Sequence, residues 1–285
     1  MAFNMQTFKT RALTAVVFAA VMLAGLLINH WTFFLLFTII HFGCWFEFQK
    51  LVGLIDKDYT TISPFHKYGV MLLGWGFMLW MTNEAYRLSP FYLSEIGVWF
   101  MLIAAITLPL TEVLLSKQFN LKVIGYSLVG LVYISLAWGL MIGIRNVGIL
   151  FNLGWVIPTV LIVSIWINDT MAYIVGSFIG KTPFSTISPK KTWEGTMGGA
   201  ILAVVTVTLV GYFAAGMNDY VSLIIISSIA AIAGTAGDLL ESKLKRMAGV
   251  KDSGQIMPGH GGFLDRFDSL LLATPFVWLY VKLFL

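Results

Sequence analysis

The chain is written as long apolar runs separated by short polar interruptions, and the runs have the length a bilayer requires. A spanning helix needs about 20 mostly apolar residues. Nine stretches meet that need, at 12–28, 31–49, 68–82, 92–115, 122–144, 153–178, 195–215, 220–241 and 267–284. Within them apolar residues are continuous rather than alternating, which predicts helices and argues against a β-barrel. Unpaired backbone groups find no water in hydrocarbon, so the helix is the element that can carry such runs across. The expectation is an all-α polytopic membrane protein with about nine transmembrane helices. Lys9 and Arg11 ahead of the first run resemble a signal peptide. Further spanning runs follow at once, so it reads as an uncleaved first span.

Composition narrows the class. Of 285 residues, 58% are hydrophobic, 15% aromatic and 11% charged, with mean hydropathy +0.85. Soluble domains carry about 25% charged residues, so this chain cannot cover a water-facing surface. That excludes a soluble globular domain, a disordered chain and a nucleic-acid-binding module. The positions of the basic residues matter more than the net charge of +4. With a cytoplasmic N-terminus and nine crossings, 15 of the 18 Lys and Arg fall inside and only Arg87, Arg145 and Lys282 outside. This is the bias the positive-inside rule demands.

The two halves of the chain differ in character. Residues 1–150 hold five spans with few ionisable groups and read as a transmembrane scaffold. There, His41 reads as a hydrogen-bonded structural histidine and the single Cys44 as a small buried hydrophobe. Glu47 and Glu112 read as carboxylates near helix ends that reach the interface. Trp31, Trp75, Trp80, Trp99 and Trp155 read as interfacial anchors. Residues 151–285 carry the polar chemistry, in three stretches that the topology places at the cytoplasmic face.

The first stretch, Trp166-Ile-Asn-Asp-Thr-Met-Ala-Tyr173, puts Asp169 inside an apolar segment, where an ionisable group is costly and marks function. In the second, Ser188-Pro-Lys-Lys-Thr-Trp-Glu-Gly195, Ser188 and Thr192 offer caps, and Lys190 and Lys191 stand beside a helix N-terminus suited to phosphate. No Walker A sequence is present. The third runs from Gly237 to Asp268. On a helix, Asp238, Ser242 and Lys245 share one face, flanked by Glu241 and Arg246. Asp265 and Asp268 lie i, i+3 at the start of the last helix, where their carboxylates can converge. A Pro-Gly-His-Gly-Gly turn carrying His260 lies between. Carboxylates from two helices suit a hard cation such as Mg²⁺, and the surrounding Lys and Arg welcome a metal–phosphate complex. Such a mixed cluster fits phosphoryl or nucleotidyl transfer, where catalysis is charge neutralisation and alignment.

The third stretch resembles the signature of the phosphatidate cytidylyltransferase (CDP-diacylglycerol synthase) family, through Ser242, Leu244, Lys245, Arg246, Lys251, Asp252, Gly254, Pro258, His260, Gly261, Gly262, Asp265, Arg266 and Asp268. The two upstream stretches are also similar to family motifs, so the specific likeness covers roughly residues 165–270. The resemblance implies an integral enzyme of the inner (plasma) membrane that joins CTP to phosphatidic acid, giving CDP-diacylglycerol and pyrophosphate. It implies Mg²⁺ at Asp238, Asp265 and Asp268, with a second cation left open, and a homodimer with its site facing the cytoplasm. Asp265, Asp268, Asp238, Lys245, His260 and Arg266 are then the expected catalytic set. Ser188, Lys190, Lys191, Thr192, Ser242, Arg246, Lys251 and Asp169 are the expected substrate-binding set. Two other readings stand beside it: a cytidylyltransferase acting on another lipid phosphate, and a carrier of anionic solutes. The carrier predicts internal repeats, and none are found.

Overall fold

The computed structural model describes residues 5–115, 120–147, 154–255 and 261–285. Among them nine long helices account for the nine apolar runs: α1 Met5–Leu27, α2 His30–Ile55, α3 Pro64–Trp80, α4 Leu93–Leu115, α5 Leu121–Val147, α6 Val156–Ile179, α7 Trp193–Ala214, α8 Tyr220–Met247 and α9 Leu264–Phe284. All but α1 and α3 meet both the length and the hydropathy needed to cross a membrane. Their starts follow ordinary capping chemistry. Asn29 and Thr32 form a reciprocal capping box on α2, Ser63 precedes Pro64 at the first turn of α3, and Asp219 caps α8.

Helix α5 is the centre of the bundle, with 72% of its most apolar stretch buried, against 17% for α4 and 22% for α7. The last two therefore present their side chains outward, as lipid-facing helices do. Around α5, Trp138 meets the rings of Phe37 and Phe267 at 5.2 and 5.7 Å, so the core joins helices from both halves of the chain. A π-helical turn at Leu131–Ser135 interrupts α5. There Ser135 Oγ lies 3.0 Å from His41 Nε2 and accepts a hydrogen bond from Trp45 Nε1 at 2.9 Å. The structural reading of His41 holds. Cys44 is fully buried, as expected.

Three scaffold residues depart from their expected roles. Glu112 is buried and sits 2.9 Å from His66 Nδ1, whose Nε2 is 2.9 Å from Ser127 Oγ. Glu47 is buried as well. Proximity to a helix end does not bring a carboxylate to water when neighbouring helices extend past it and supply donors. Trp75 lies within α3 and donates to Thr38 at 3.3 Å rather than anchoring an interface. Outside the spans, the Lys122 ammonium 2.6 Å from Asp56 holds that carboxyl below its ordinary range.

Helices α6 and α7 approach each other through small residues. Gly195 and Gly199 face Ala172 and Gly176, and a Cβ at Gly199 would stand 2.7 Å from both the Asn168 carbonyl oxygen and the Ala172 Cβ. Close backbone approach of this kind is how helices associate in lipid, where the hydrophobic effect offers no drive. Gly199→Leu is therefore expected to force the pair apart and destabilise the bundle by at least about 1–3 kcal/mol. Thermal unfolding in detergent measures this, and an unchanged midpoint would refute the packing argument.

Candidate active site

The chain between α6 and α7 folds back on itself instead of extending into solvent. Phe184 N donates to Lys191 O at 2.8 Å, Trp193 N to Thr182 O at 3.0 Å, and Lys191 N to Ser188 O at 3.0 Å. The rings of Phe184 and Trp193 stack edge to face 4.6 Å apart. Glu194 gathers the amides of Lys181 and Thr182 and the Thr182 hydroxyl. Thr192 caps α7 by accepting from Gly195 N at 3.2 Å. This small lobe carries Lys190 and Lys191 over a cavity of about 530 Å³ bounded by α6, α7 and α8, a volume suited to a small-molecule group.

Both signs of charge face this cavity. Asp169 from α6 and Asp238 from α8 line it together with the two lysines, Asn168 and Thr192. Lys191 forms an ion pair with Asp238, which also accepts from Ser242 Oγ at 3.3 Å. Asn168 Nδ2 donates to Asp169 Oδ1 at 3.3 Å, while its own Oδ1 is buried without a partner. Asp268 stands within electrostatic reach of Asp238 and Asp169, and Arg266 within reach of Asp169. Gly237 makes this convergence possible, because a side chain there would strike the Asp268 carbonyl and push α8 from α9.

A second cluster lies one turn further along α8. Lys245 pairs with Glu241 and reaches Asp265 Oδ1 at 2.6 Å. The other Asp265 oxygen accepts Ser253 N and Oγ at 2.9 Å and Gly262 N at 2.8 Å. The Ser253 hydroxyl also bonds Glu47 Oε2 at 2.7 Å. Glu47 in turn accepts Phe263 N and Leu264 N, each at 2.9 Å.

The expected residues thus fall into two groups. Asp169, Lys190, Lys191, Thr192, Asp238, Ser242, Arg266 and Asp268 gather at or beside the cavity, whereas Lys245 and Asp265 form an internal clamp. Asp265 in the first turn folds back onto the Ser253 and Gly262 amides, whereas Asp268 Oδ1 accepts from Ser269 N at 2.6 Å. Among the described residues no set of three or more His, Cys, Asp or Glu is placed to hold a metal ion. Asp238 and Asp268 nonetheless suit Mg²⁺, which takes one or two carboxylates and completes its shell with water and substrate phosphates. Asp265 is tied by Lys245 and by the Ser253 and Gly262 amides within its own cluster, whereas Asp238 is held by the part-buried Lys191 and the Ser242 hydroxyl. Ser188 acts through its carbonyl, Arg246 reaches the Val250 carbonyl at 3.4 Å, and Lys251 is exposed. His260 lies outside the described residues. Sequence reasoning missed Asn168 and Glu47; a polar residue adjoining Asp169 was signal enough for the first, whereas nothing local marks the second.

A cavity that carries both ammonium and carboxylate groups among apolar helices offers a phosphate group charged hydrogen-bond donors. The model of the cytidylyltransferase family matches residues 9–284, and the chain belongs to that family. It is similar to the phosphatidate cytidylyltransferase of Bacillus subtilis (strain 168), 34% identical over 282 residues that cover 98% of this chain and 100% of the relative. It is also similar to proteins of the same name from Staphylococcus haemolyticus, 37% identical over 61% of this chain and 65% of the relative, and Synechocystis, 39% identical over 47% and 46%. The protein is a membrane-bound nucleotidyltransferase.

Lys245 compensates two carboxylates at once. Lys245→Met is expected to leave Glu241 buried without its cation and Asp265 without its ammonium partner, and to cost roughly 3–5 kcal/mol. Unfolding in detergent checks this, and a loss below about 1 kcal/mol, the worth of a surface pair, would remove the clamp from the account.

Proposed function

We propose that the protein transfers the CMP group of CTP to phosphatidic acid, giving CDP-diacylglycerol and pyrophosphate, at the cytoplasmic face of the plasma membrane. The observation that carries this reading is the cavity itself, where two lysines face two aspartates at the end of an apolar bundle. The names borne by the relatives and the signature through Asp268 support the choice of substrates. The bias of Lys and Arg supports the orientation, and the family resemblance supports a homodimer.

The chemistry has to bring two anions together. An oxygen of the phosphatidate monoester, already ionised near neutral pH, attacks the α-phosphorus of CTP. A new P–O bond forms there, and the bond to the bridging oxygen of the β-phosphate breaks, releasing pyrophosphate. No strong general base is needed. Asp238 and Asp268 are the residues that would hold Mg²⁺, with or without a second cation, and the ion supplies charge neutralisation to the phosphate oxygens. Lys190 and Lys191 grip phosphate oxygens of the nucleotide, and Lys191 exchanges its Asp238 partner for substrate. Arg266 and Asp169 border the same space. Phosphatidate keeps its acyl chains in lipid and raises only its headgroup, so the reaction takes place where helices meet the interface.

Purified protein incubated with CTP, Mg²⁺ and phosphatidate should release pyrophosphate, and omission of any one should stop it. Release without phosphatidate, or no release with all three, sinks the reading. Lys190→Ala and Lys191→Ala are each expected to raise KM for CTP about tenfold, the worth of a charge-assisted hydrogen bond. An unchanged CTP dependence would make them topology determinants only. Asp268→Asn should abolish turnover in protein that still folds; near-normal activity would remove it from the site.

A further inference from the structure

We infer that Glu47, on α2 in the half of the chain that reads as scaffold, is the positioning residue that holds Ser253–Gly254, Gly262–Phe263 and the start of α9 in their working arrangement. This rests on the cytidylyltransferase reading above. Helix α9 begins at Leu264 after Phe263, a residue with no side-chain group to cap a helix. Its first amides would go unsatisfied inside the bundle, and an unpaired buried N–H is costly. Glu47 supplies the missing acceptor from 216 residues away: Oε1 takes Phe263 N, and Oε2 takes Leu264 N and the Ser253 hydroxyl. A carboxylate at a helix N-terminus also opposes the positive end of the helix dipole.

The surrounding glycines are shaped to this carboxylate. A Cβ at Gly254 or at Gly262 would collide with Glu47, so the carboxylate sits between the two loop segments where both lack a side chain. One turn back on α2, Gly43 leaves the space that the Phe263 ring fills. Two independent features of α2, an absent side chain and a buried anion, therefore receive the same loop. Ser253 then couples Glu47 to Asp265, since its hydroxyl donates toward Glu47 while its amide donates to Asp265. Asp265 is held by Lys245 as well, and Asp268 follows three residues later on the same helix. Displacing this anchor shifts Asp268, which stands within electrostatic reach of Asp238 and Asp169, without removing any group that touches substrate.

Glu47→Gln is the direct test, because it keeps size and shape while offering only one acceptor oxygen to three donors. With CTP, Mg²⁺ and phosphatidate as substrates, kcat is expected to fall about ten- to a hundredfold, the penalty of a misplaced reacting geometry. KM for CTP should stay within about threefold, since the lysines that bind it are untouched. Amide hydrogen exchange at Gly262–Leu264 should speed up relative to the rest of α9. A kcat within about twofold of wild type, or unaltered exchange at those amides, overturns the inference. So does a fall in activity that merely tracks loss of folded protein. Should Glu47→Gln fail to fold, Ser253→Ala is read by the same kcat and exchange measurements, with unchanged values counting against Glu47. Inactive wild-type protein would instead overturn the cytidylyltransferase reading, so the two failures are distinguishable.

Discussion

Lys245 is the charge on which the rest of the site leans. Its ammonium stands between Glu241, which is fully buried, and Asp265, whose second oxygen is tied to the Ser253 and Gly262 amides. In an apolar bundle a lone carboxylate would be costly enough to reorganise its surroundings. Placing one cation against two anions on different helices joins α8 to the start of α9 by an interaction that hydrocarbon strengthens rather than screens. The loop between the two helices is then fixed at both ends, and Asp268 acquires a definite position relative to Asp238.

The cavity side of α8 follows the opposite logic. Lys191 and Asp238 compensate each other across a space that remains large enough for a substrate group. A pair that is only part-buried can be opened at modest cost, and in the proposed reaction an incoming phosphate would offer the lysine an equivalent anion and free the aspartate for a cation. The stretch of the helix around Glu241 and Lys245 is therefore internally satisfied, and the stretch around Asp238 is satisfied only until ligand arrives. This division between structural and exchangeable ion pairs explains why so many charges sit on one membrane helix without being interchangeable.

How much of this could be read beforehand depends on the range of the interaction. The nine helices were readable because length and continuous hydropathy are local properties, and each observed helix overlaps its run with ends that differ by at most seven residues. Asp169, Lys190, Lys191 and Asp238, which line one cavity, were readable as candidates because charge inside apolar sequence is conspicuous. The grouping of those charges was not. A spacing of i, i+3 puts Asp265 and Asp268 on neighbouring positions of a helix but says nothing of the Ser253 and Gly262 amides that hold Asp265. Glu47 and Glu112 lay near helix ends, and the helices that enclose them come from elsewhere in the chain.

The same argument applies to the glycines of the signature. Read locally, Gly254 and Gly262 mark tight turns, and any turn would account for them. In the folded protein both stand against one carboxylate from α2, so their lack of a side chain is a packing requirement set by a residue more than two hundred positions earlier. A motif can thus be compact in sequence while half of its physical cause lies outside it. For an enzyme embedded in lipid this arrangement has a reason: loop amides at the membrane face cannot all turn to water, and a buried acceptor on a neighbouring helix satisfies them while fixing the geometry that the chemistry needs.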